Sequence, residues 1–469
     1  MTVVEDSHQA ILARTDQAAQ ILGFSDSLHK QLRNTKRTLK VSCAPRMDNG
    51  DVQTFLGFLA QDCALFAPTG NPYGGGFYFY PPDPKITQEA TLAIVMKEVE
   101  AKAKAMTWKH ALARIPFGGA KGCLILDPDE LSPTEQENAL WKYVEETVMM
   151  LGPRQTRLGP DMYTNSWHMG VIAEAYSKQK DVRHPARAVV TGKPLGNGGI
   201  PGRTKATSSG AFAILTELFK VLTCFQSRYT KSVVLQGFGN VGSHLALYLY
   251  HANIKILAIA DKYGAIRNDH GIDILELLKH QCSSYRHSVV GFREAETIDP
   301  NELWGIPCDV VIPAAVSNAV NEETALQIKA PLVFELANNA TTLEGDKILQ
   351  ANGKVAYPDI SANVGGAKVS YREWQANITD KDTQMMEDDD RVPGTTEREV
   401  LQDLEQSMLI QCRKVLALHE RFRSQNIGIT DLRTAAYVLA GHRLAICARD
   451  KTKPYATGHV DRLGIGEYY

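Results

Sequence analysis

Two lysines and an aspartate are the residues of this chain best suited to chemistry on a small anionic molecule. Lys121 lies in the glycine-rich run 116–122, and Lys109 precedes it by twelve residues. Glycine lets a ligand approach the backbone closely, and a lysine desolvated in such a pocket has a lowered pKa that suits proton transfer. Asp161 follows a Gly-Pro pair that could direct its carboxylate into a cleft. The pattern predicts one lysine that binds a carboxylate and one that serves proton transfer. The alternatives are a solvated lysine in a turn and an aspartate that caps a turn.

A glycine fingerprint in the second half of the chain predicts a dinucleotide-binding site. Its residues are Gly237, Phe238, Gly239, Asn240, Val241 and Gly242. It follows the β-branched segment 232–236, opens the helical pattern 243–251, and precedes Asp261 by 19 residues. In this context the first glycine makes the tight turn, the second admits the pyrophosphate, and the third packs the helix on the strand. Asp261 would accept hydrogen bonds from the adenosine ribose hydroxyls, which favours NAD. The adjacent Lys262 could attract a 2′-phosphate, so NADP is also possible.

The elements that position these residues predict an α/β fold of two domains. Residues 1–200 are expected to form an α/β domain for substrate binding and oligomerisation. Residues 201–424 are expected to form a Rossmann-type, doubly wound dinucleotide-binding domain, because strands alternate with helical patterns there. Residues 425–469 are expected to be helices that return to the first domain.

Local patterns add detail to this organisation. They predict a helix over 87–107, a strand over 187–194, and a hinge at the glycine-rich connector 195–202. Thr396 and Glu399 have the spacing of a capping box at the start of a long helix. The acidic run 387–390 predicts a solvated surface loop.

Composition narrows the functional class. The chain has 469 residues, 44% hydrophobic and 22% charged, with a net charge of −2, and so no general attraction for nucleic acid or anionic membranes. Its eight cysteines include no CxxC pair, which favours reduced thiols over disulfides or a metal site. The N-terminus has no basic start and no apolar core, and no run of about 18 apolar residues occurs. We therefore expect a cytoplasmic enzyme of small molecules that binds neither nucleic acid nor membrane.

Several ordered motifs resemble those of the glutamate/leucine/phenylalanine/valine dehydrogenase family over nearly the whole chain, most of all its glutamate dehydrogenase branch. They are residues 106–109, 116–122, 160–165, 191–194, 203–210, 237–242, 309–315 and 358–374. The resemblance implies NAD(P)-dependent, reversible oxidative deamination of an L-amino acid to a 2-oxo acid and ammonia. It also implies a homo-oligomer, a homohexamer by preference, with the active site between two domains.

The same resemblance assigns roles to the matched residues. Lys109 resembles the lysine that holds the substrate α-carboxylate, and Lys121 the lysine that activates the attacking water. Asp161 resembles the carboxylate that moves protons to and from the amino group. The other substrate-side residues are expected to be Met106, Gly74, Gly76 and Ser370. The cofactor-side residues are expected to be Thr207, Gly237, Gly239, Asn240, Val241, Gly242, Asp261, Asn338 and Asn363.

Two positions depart from the glutamate dehydrogenase pattern. Where that branch reads Tyr-Lys-Gly-Gly-x-Arg, this chain has Gly74 in place of the lysine and Tyr78 in place of the arginine. Ser370 matches the hydroxyl that contacts the side-chain carboxylate of the substrate in that branch. Loss of the cation from a desolvated ion pair costs about 3–5 kcal/mol. We therefore expect an apolar or aromatic amino acid as substrate, with residues 77–80 forming an aromatic wall.

Two alternatives remain at this point. The first is a glutamate dehydrogenase in which another cation, such as Arg114 or Lys368, supplies the missing charge. The second is a catalytically silent, regulatory relative. The intact set of Lys109, Lys121 and Asp161 favours an active enzyme over the silent one.

Overall fold

The computed structural model describes residues 3–63, 72–179, 186–225, 230–284, 286–378, 395–425 and 431–452. The acidic run predicted to be a loop lies outside the described residues. Every helix within these ranges is too short or too polar to cross a lipid bilayer.

The described helices and strands are numbered separately in chain order. The helices are α1 (Val3–Leu22), α2 (Asp26–Arg33), α3 (Gln88–Ala113), α4 (Pro133–Thr147), α5 (Ser166–Ser177), α6 (Ala206–Val221), α7 (Asn240–His251), α8 (Ile274–Ser283), α9 (Glu322–Gln327), α10 (Leu343–Ala351), α11 (Asp359–Ala362), α12 (Gly365–Ile378), α13 (Glu397–Ser424) and α14 (Leu432–Thr452). The strands are β1 (Arg37–Cys43), β2 (Phe55–Gln61), β3 (Tyr73–Tyr80), β4 (Gly118–Ile125), β5 (Thr156–Pro160), β6 (Ser232–Gln236), β7 (Lys255–Asp261), β8 (Gly264–Arg267), β9 (Glu296–Ile298), β10 (Val310–Pro313), β11 (Leu332–Phe334) and β12 (Val355–Tyr357).

The first sheet has five strands in the order β1-β2-β4-β3-β5. Strand β3 lies between β4 and β5 and runs parallel to both. Its consecutive glycines let neighbouring groups come close, since a Cβ at Gly75 would overlap the carbonyl group of Ala120. Further along β3, Phe77 packs its ring on Tyr143 in the core, at a centroid distance of 4.8 Å. The glycine half of β3 therefore lies at the site, and its aromatic half anchors the strand.

Helix α3 covers this sheet and carries Lys109. Thr87 caps its start by accepting a hydrogen bond from the Ala90 N–H at 3.3 Å, and Arg114 ends it in the left-handed conformation with a φ of 60°. The helix is thus longer than the predicted 87–107. Near its C-terminus, Trp108 packs on Tyr437 of α14 with ring centroids 5.1 Å apart.

The second sheet confirms the predicted doubly wound topology. Its order is β12-β11-β10-β6-β7-β8-β9, and the first five strands are parallel. Successive residues of β6 belong to different hydrophobic clusters. Val233 and Leu235 lie in one cluster, and Val234 lies in the other. This is typical of a parallel sheet covered on both faces. The antiparallel edge made by β8 and β9 was not predicted.

The last two helices connect the halves of the molecule. The predicted capping box begins α13, where Thr396 Oγ1 accepts from the Glu399 N–H at 3.3 Å and Glu399 Oε2 accepts from the Thr396 N–H at 2.8 Å. Helix α14 then packs on α3, and Arg443 donates to the carbonyl of Ala111 at 3.1 Å.

One local prediction was wrong. Residues 187–194 do not form a strand: Ala186–Val189 is a 3-10 turn, and only Val190 bridges to Leu158. Gly192 has a φ of 74°, which turns the chain away before a second residue can pair. Lys121 lies buried in β4, which excludes the alternative of a solvated lysine in a turn. Its glycine neighbours serve close strand and helix packing, since a Cβ at Gly119 would overlap the backbone of α3.

Candidate active site

A cavity of about 230 Å³ lies between the two sheets and receives residues from both halves. This volume is below the range of about 300–1,000 Å³ typical of drug-sized ligands, and so suits a small metabolite. The residues that line it and carry the argument below are Gly76, Met106, Lys109, His110, Arg157, Asp161, Arg203, Thr207, Val241, Asn338, Asn363 and Ser370.

Lys109 spans the two halves at one end of the cavity. Its Nζ donates to Asn363 Oδ1 at 2.8 Å and also to Asn338 Oδ1, while the Asp359 carboxylate lies 4.0 Å away. Burial lowers the pKa of Lys109, and the negative charge of Asp359 opposes that shift. The ammonium is therefore held by neutral amide oxygens, which a carboxylate of a ligand could replace.

Lys121 and Asp161 form an ion pair beside this lysine. The Lys121 ammonium, on β4, donates to Asp161 Oδ2 and lies 5.5 Å from the centre of the Tyr78 ring. Burial lowers the pKa of Lys121, and Asp161 partly offsets the effect. Burial also disfavours ionised Asp161, but the positive charges of Lys121 and Lys102 outweigh it and hold the pKa of Asp161 at about 2. The pair is thus a stable carboxylate next to an ammonium that gives up its proton more readily than ordinary lysine.

A tight turn after β5 fixes the Asp161 carboxylate. The Asp161 N–H donates to Thr164 Oγ1 at 2.8 Å, and Oδ1 accepts from the Met162 N–H at 2.8 Å. Gly76 faces the carboxylate across the strands: a Cβ there would lie 2.8 Å from Asp161 Cβ and 3.0 Å from Cγ, inside normal contact distance. Gly76 is therefore required for Asp161 to reach the cavity.

The part of the cavity lined by Ser370 is cationic. Arg157, on β5, is only 3% exposed, and its guanidinium lies 3.8 Å from the centre of the Phe117 ring. Burial lowers the pKa of Arg157 to about 9, so the guanidinium is still protonated at neutral pH. Arg203 donates from Nε to Ser370 Oγ at 2.8 Å. His110 lies nearby but is neutral, because burial lowers its pKa to about 3.

The cations and aromatic residues expected at this end lie elsewhere. Lys368 donates to Ser407 Oγ at 2.7 Å and to the Ala113 carbonyl at 3.2 Å, and Arg114 ends α3; neither side chain lines the cavity. Residues 77–80 do not line it either. The structure thus replaces the expected aromatic wall with guanidinium groups.

The glycine fingerprint has the geometry expected of a dinucleotide cradle. Gly237 has a φ of 108°, and a Cβ there would lie 2.9 Å from the carbonyl carbon of Ala314. A Cβ at Gly242 would overlap the carbonyl group of Gly237. At Gly239, by contrast, a Cβ would meet nothing within 4 Å, and the residue caps the N-terminus of α7. The open position lies where a phosphate would approach the helix N-terminus, so the residues fit a bound dinucleotide.

Asp261 lies at the end of β7 as predicted, but its carboxylate is already engaged. Oδ1 accepts from the N–H groups of Tyr263 at 2.8 Å and Gly264 at 3.2 Å. Oδ2 accepts from Ser288 Oγ at 2.8 Å and the Val289 N–H at 2.7 Å. A carboxylate has about four acceptor sites, so a ribose hydroxyl would have to share or displace one of these donors.

The cavity brings together most of the predicted substrate residues and part of the cofactor set. Met106, Lys109, Gly76, Asp161 and Ser370 line it, as do Thr207, Val241, Asn338 and Asn363. Gly74 does not line the cavity and lies behind Arg157, and Lys121 contacts the lining only through Asp161. Asn240 donates from Nδ2 to the Thr204 carbonyl at 3.0 Å and is absent from the lining, as are Gly237, Gly239, Gly242 and Asp261. The residue that sequence reasoning missed is Arg157.

Comparison with known proteins gives a consistent match over the chain. Residues 35–178 match the family profile "Glu/Leu/Phe/Val dehydrogenase, dimerisation domain", and residues 198–451 match "Glutamate/Leucine/Phenylalanine/Valine dehydrogenase". The NADP-specific glutamate dehydrogenase of Synechocystis sp. is 34% identical over 439 residues, covering 92% of this chain and 94% of the relative. The NAD-specific glutamate dehydrogenase of Staphylococcus aureus is 35% identical over 433 residues, covering 92% and 95%.

Solved structures show the same fold. The hetero-hexameric glutamate dehydrogenase of Thermus thermophilus in its Leu-bound form superposes with a TM-score of 0.80 at 28% identity, covering 95% of this chain and 96% of that one. The fold and the matches define an oxidoreductase that acts on the CH–NH2 group of an amino acid. The chain belongs to the glutamate/leucine/phenylalanine/valine dehydrogenase family and is an NAD(P)-dependent amino-acid dehydrogenase.

Proposed function

We propose that this protein catalyses the reversible oxidative deamination of an L-amino acid with an anionic side chain, with L-glutamate as the simplest candidate. The observation that carries the proposal is that one small cavity is lined by Lys109, which contacts Asn338 and Asn363, and also by the guanidinium groups of Arg157 and Arg203. A substrate with two carboxylates is complementary to this arrangement. The relatives described above are also named glutamate dehydrogenases.

The residues divide the chemistry as follows. Lys109 binds the α-carboxylate, and Asp161, ionised because of its low pKa, accepts a proton from the substrate ammonium. The dinucleotide, held at the Gly237–Gly242 cradle, supplies the hydride acceptor when bound. The neutral amine of Lys121 then accepts a proton from the water that attacks the imine carbon. In the carbinolamine that results, Asp161 returns its proton to the amine and then, ionised again, accepts the hydroxyl proton as the C–N bond breaks, which leaves ammonia and the 2-oxo acid.

An apolar or aromatic substrate, expected from Gly74 alone, is less compatible with this cavity. Its side chain would lie against two guanidinium groups and satisfy neither, and a buried polar group without a partner is costly. We therefore favour the alternative in which another cation replaces the missing lysine. That cation is Arg157 rather than Arg114 or Lys368.

The test is a steady-state comparison of the purified enzyme with L-glutamate, its neutral isostere L-glutamine, L-leucine and L-phenylalanine, with NAD+ and with NADP+. We expect kcat/KM for L-glutamate to exceed that for L-glutamine about 100-fold or more, as for a desolvated charge pair. Lys121→Ala should abolish turnover with every substrate. A higher kcat/KM for leucine or phenylalanine would refute the acidic substrate, and no turnover with any amino acid would favour the silent relative.

We also propose that the protein is a homohexamer. In each subunit, residues 1–200 would bind substrate and form subunit contacts, residues 201–424 would bind the dinucleotide, and residues 425–469 would return to the first domain. The Thermus thermophilus relative is described as hetero-hexameric, and residues 35–178 match a dimerisation domain. Light scattering coupled to size exclusion would measure the mass directly; a mass near six times 51.7 kDa is expected, and a monomer would contradict the proposal.

A further inference from the structure

We infer that Arg157 is the specificity-determining residue of this enzyme: it occupies the space of a side chain at position 74 and binds the distal carboxylate of the substrate from the neighbouring strand. The inference rests on the proposed function and names the residue that selects the charge of the substrate side chain. Three features of the described residues support it, namely strand register, space and charge.

The strand register places the two positions side by side. Gly74 of β3 and Arg157 of β5 are Cα partners in the parallel pair. Directly paired residues of neighbouring strands project to the same face of the sheet. Since Gly74 has no side chain, the Arg157 side chain can lie across the space in front of it. A charged group at this point of the cavity can therefore come from either strand.

Space allows only one of the two strands to supply that group. A Cβ at Gly74 would lie 3.0 Å from Arg157 Nη2 and 3.3 Å from Cζ, with His110 Cε1 on its other side at 3.2 Å. Any longer side chain at position 74 would have to displace the guanidinium. The absence of a side chain at position 74 thus suits the position of the guanidinium, and a lysine at 74 and an arginine at 157 would compete for the same space.

The Arg157 guanidinium packs on the Phe117 ring but has no anionic partner among the residues that the structure describes. Among the described residues, no hydrogen bond or ion pair reaches its guanidinium, and Nε is buried without a hydrogen-bond acceptor. The nearby carboxylate, Glu373, is occupied by Lys193 Nζ at 2.5 Å and by the Gly192 N–H at 2.8 Å. A buried guanidinium that lines a cavity and lacks a carboxylate is complementary to an anionic ligand group. Its planar fork can hold a carboxylate by two hydrogen bonds, next to Ser370 and Arg203.

The experiment compares L-glutamate with L-norvaline, which has the same side-chain length and no carboxylate, in four enzymes. Arg157→Met keeps the apolar stem over Phe117 and removes the charge. We expect kcat/KM for L-glutamate to fall about 100-fold or more and that for L-norvaline to change less than about fivefold, so the ratio between the two substrates collapses. Gly74→Lys alone should lose activity on both, because the new side chain collides with the guanidinium.

The double variant Gly74→Lys/Arg157→Met delivers an ammonium to the same place from β3. We expect its kcat/KM for L-glutamate to be at least about tenfold higher than that of Arg157→Met. A purely structural role of Arg157 would not produce this recovery. Binding of glutarate, measured by calorimetry, should follow the same order, and melting temperatures control for folding.

The outcomes separate this inference from the proposed function. If the wild-type enzyme prefers L-norvaline, the acidic substrate class itself is refuted. If the wild type prefers L-glutamate but Arg157→Met keeps that preference, the proposed function stands and the role of Arg157 is refuted. Equal losses on both substrates in Arg157→Met would also refute it.

Discussion

Replacing Gly76 with alanine tests whether the position of the Asp161 carboxylate controls the chemical step. The new methyl group would lie 2.8 Å from Asp161 Cβ and 3.0 Å from Cγ, with Oδ2 closer still. Ordinary contact begins near 3.4 Å. The carboxylate must therefore move by about 0.6–1 Å, and displacement of a reacting group by about 1 Å can reduce a rate about 100-fold.

Steady-state kinetics distinguish this effect from weaker binding. Lys109 and the far end of the cavity are untouched, so we expect kcat of Gly76→Ala to fall about 100-fold while KM changes little. Gly305→Ala is the matched control, because a Cβ there meets nothing within 4 Å and the residue lies far along the dinucleotide half. A Gly76→Ala enzyme with kcat within about threefold of the wild type would refute the assigned role of Asp161.

Three further predictions concern protonation, stability and cofactor binding. Because burial lowers the pKa of Lys121, its neutral amine forms at a lower pH than that of free lysine. The kcat for oxidation should therefore rise with pH through an inflection below 10.5. An inflection at or above that value would contradict the role of Lys121 as the base that accepts the water proton. Arg433→Met should lower the free energy of unfolding by about 3–5 kcal/mol in denaturant titrations, because it leaves Glu335 buried without its cation. Glu335 accepts hydrogen bonds from Arg433 at 2.6 and 2.8 Å. A loss below about 1 kcal/mol would contradict this contribution of the ion pair. Gly239→Ala should raise the dissociation constant of the dinucleotide in fluorescence titrations without lowering the free energy of unfolding, since a Cβ at 239 meets no protein atom within 4 Å and lies where the pyrophosphate would approach. An unchanged dissociation constant would count against the cradle.

The dinucleotide half could be predicted from the sequence because its signals are local. The β-branched segment 232–236, the glycine fingerprint and the following helical pattern lie within one short stretch, and each glycine has a separate geometric cause in the structure. The segment 187–194 shows the limit of such reasoning. Its residues favour a strand, but Gly192 turns the chain away from β5 after a single bridge, and no local pattern reveals where a potential partner strand ends.

The reacting residues could likewise be predicted from the sequence, whereas the residues around them could not. Lys109, Lys121 and Asp161 carry chemistry by residue type; in the structure Lys109 and Asp161 line one cavity, and Lys121 is joined to it through its ion pair with Asp161. Lys121 projects from strand β4, and the neighbouring glycines of that strand allow close packing rather than a turn.

The substrate prediction shows why a motif read along one strand can mislead. Gly74 suggests that a positive charge is lost, and this is true of β3 taken alone. The charge at that point of the cavity, however, depends on both strands that reach it, and β5 is 83 residues further along the chain at Arg157. Register depends on the hydrophobic patterns of both strands, so it cannot be inferred from the motif of one strand alone. A glycine that replaces a charged residue should therefore be interpreted only together with its cross-strand partner, because the space it vacates can be filled by the same kind of charge.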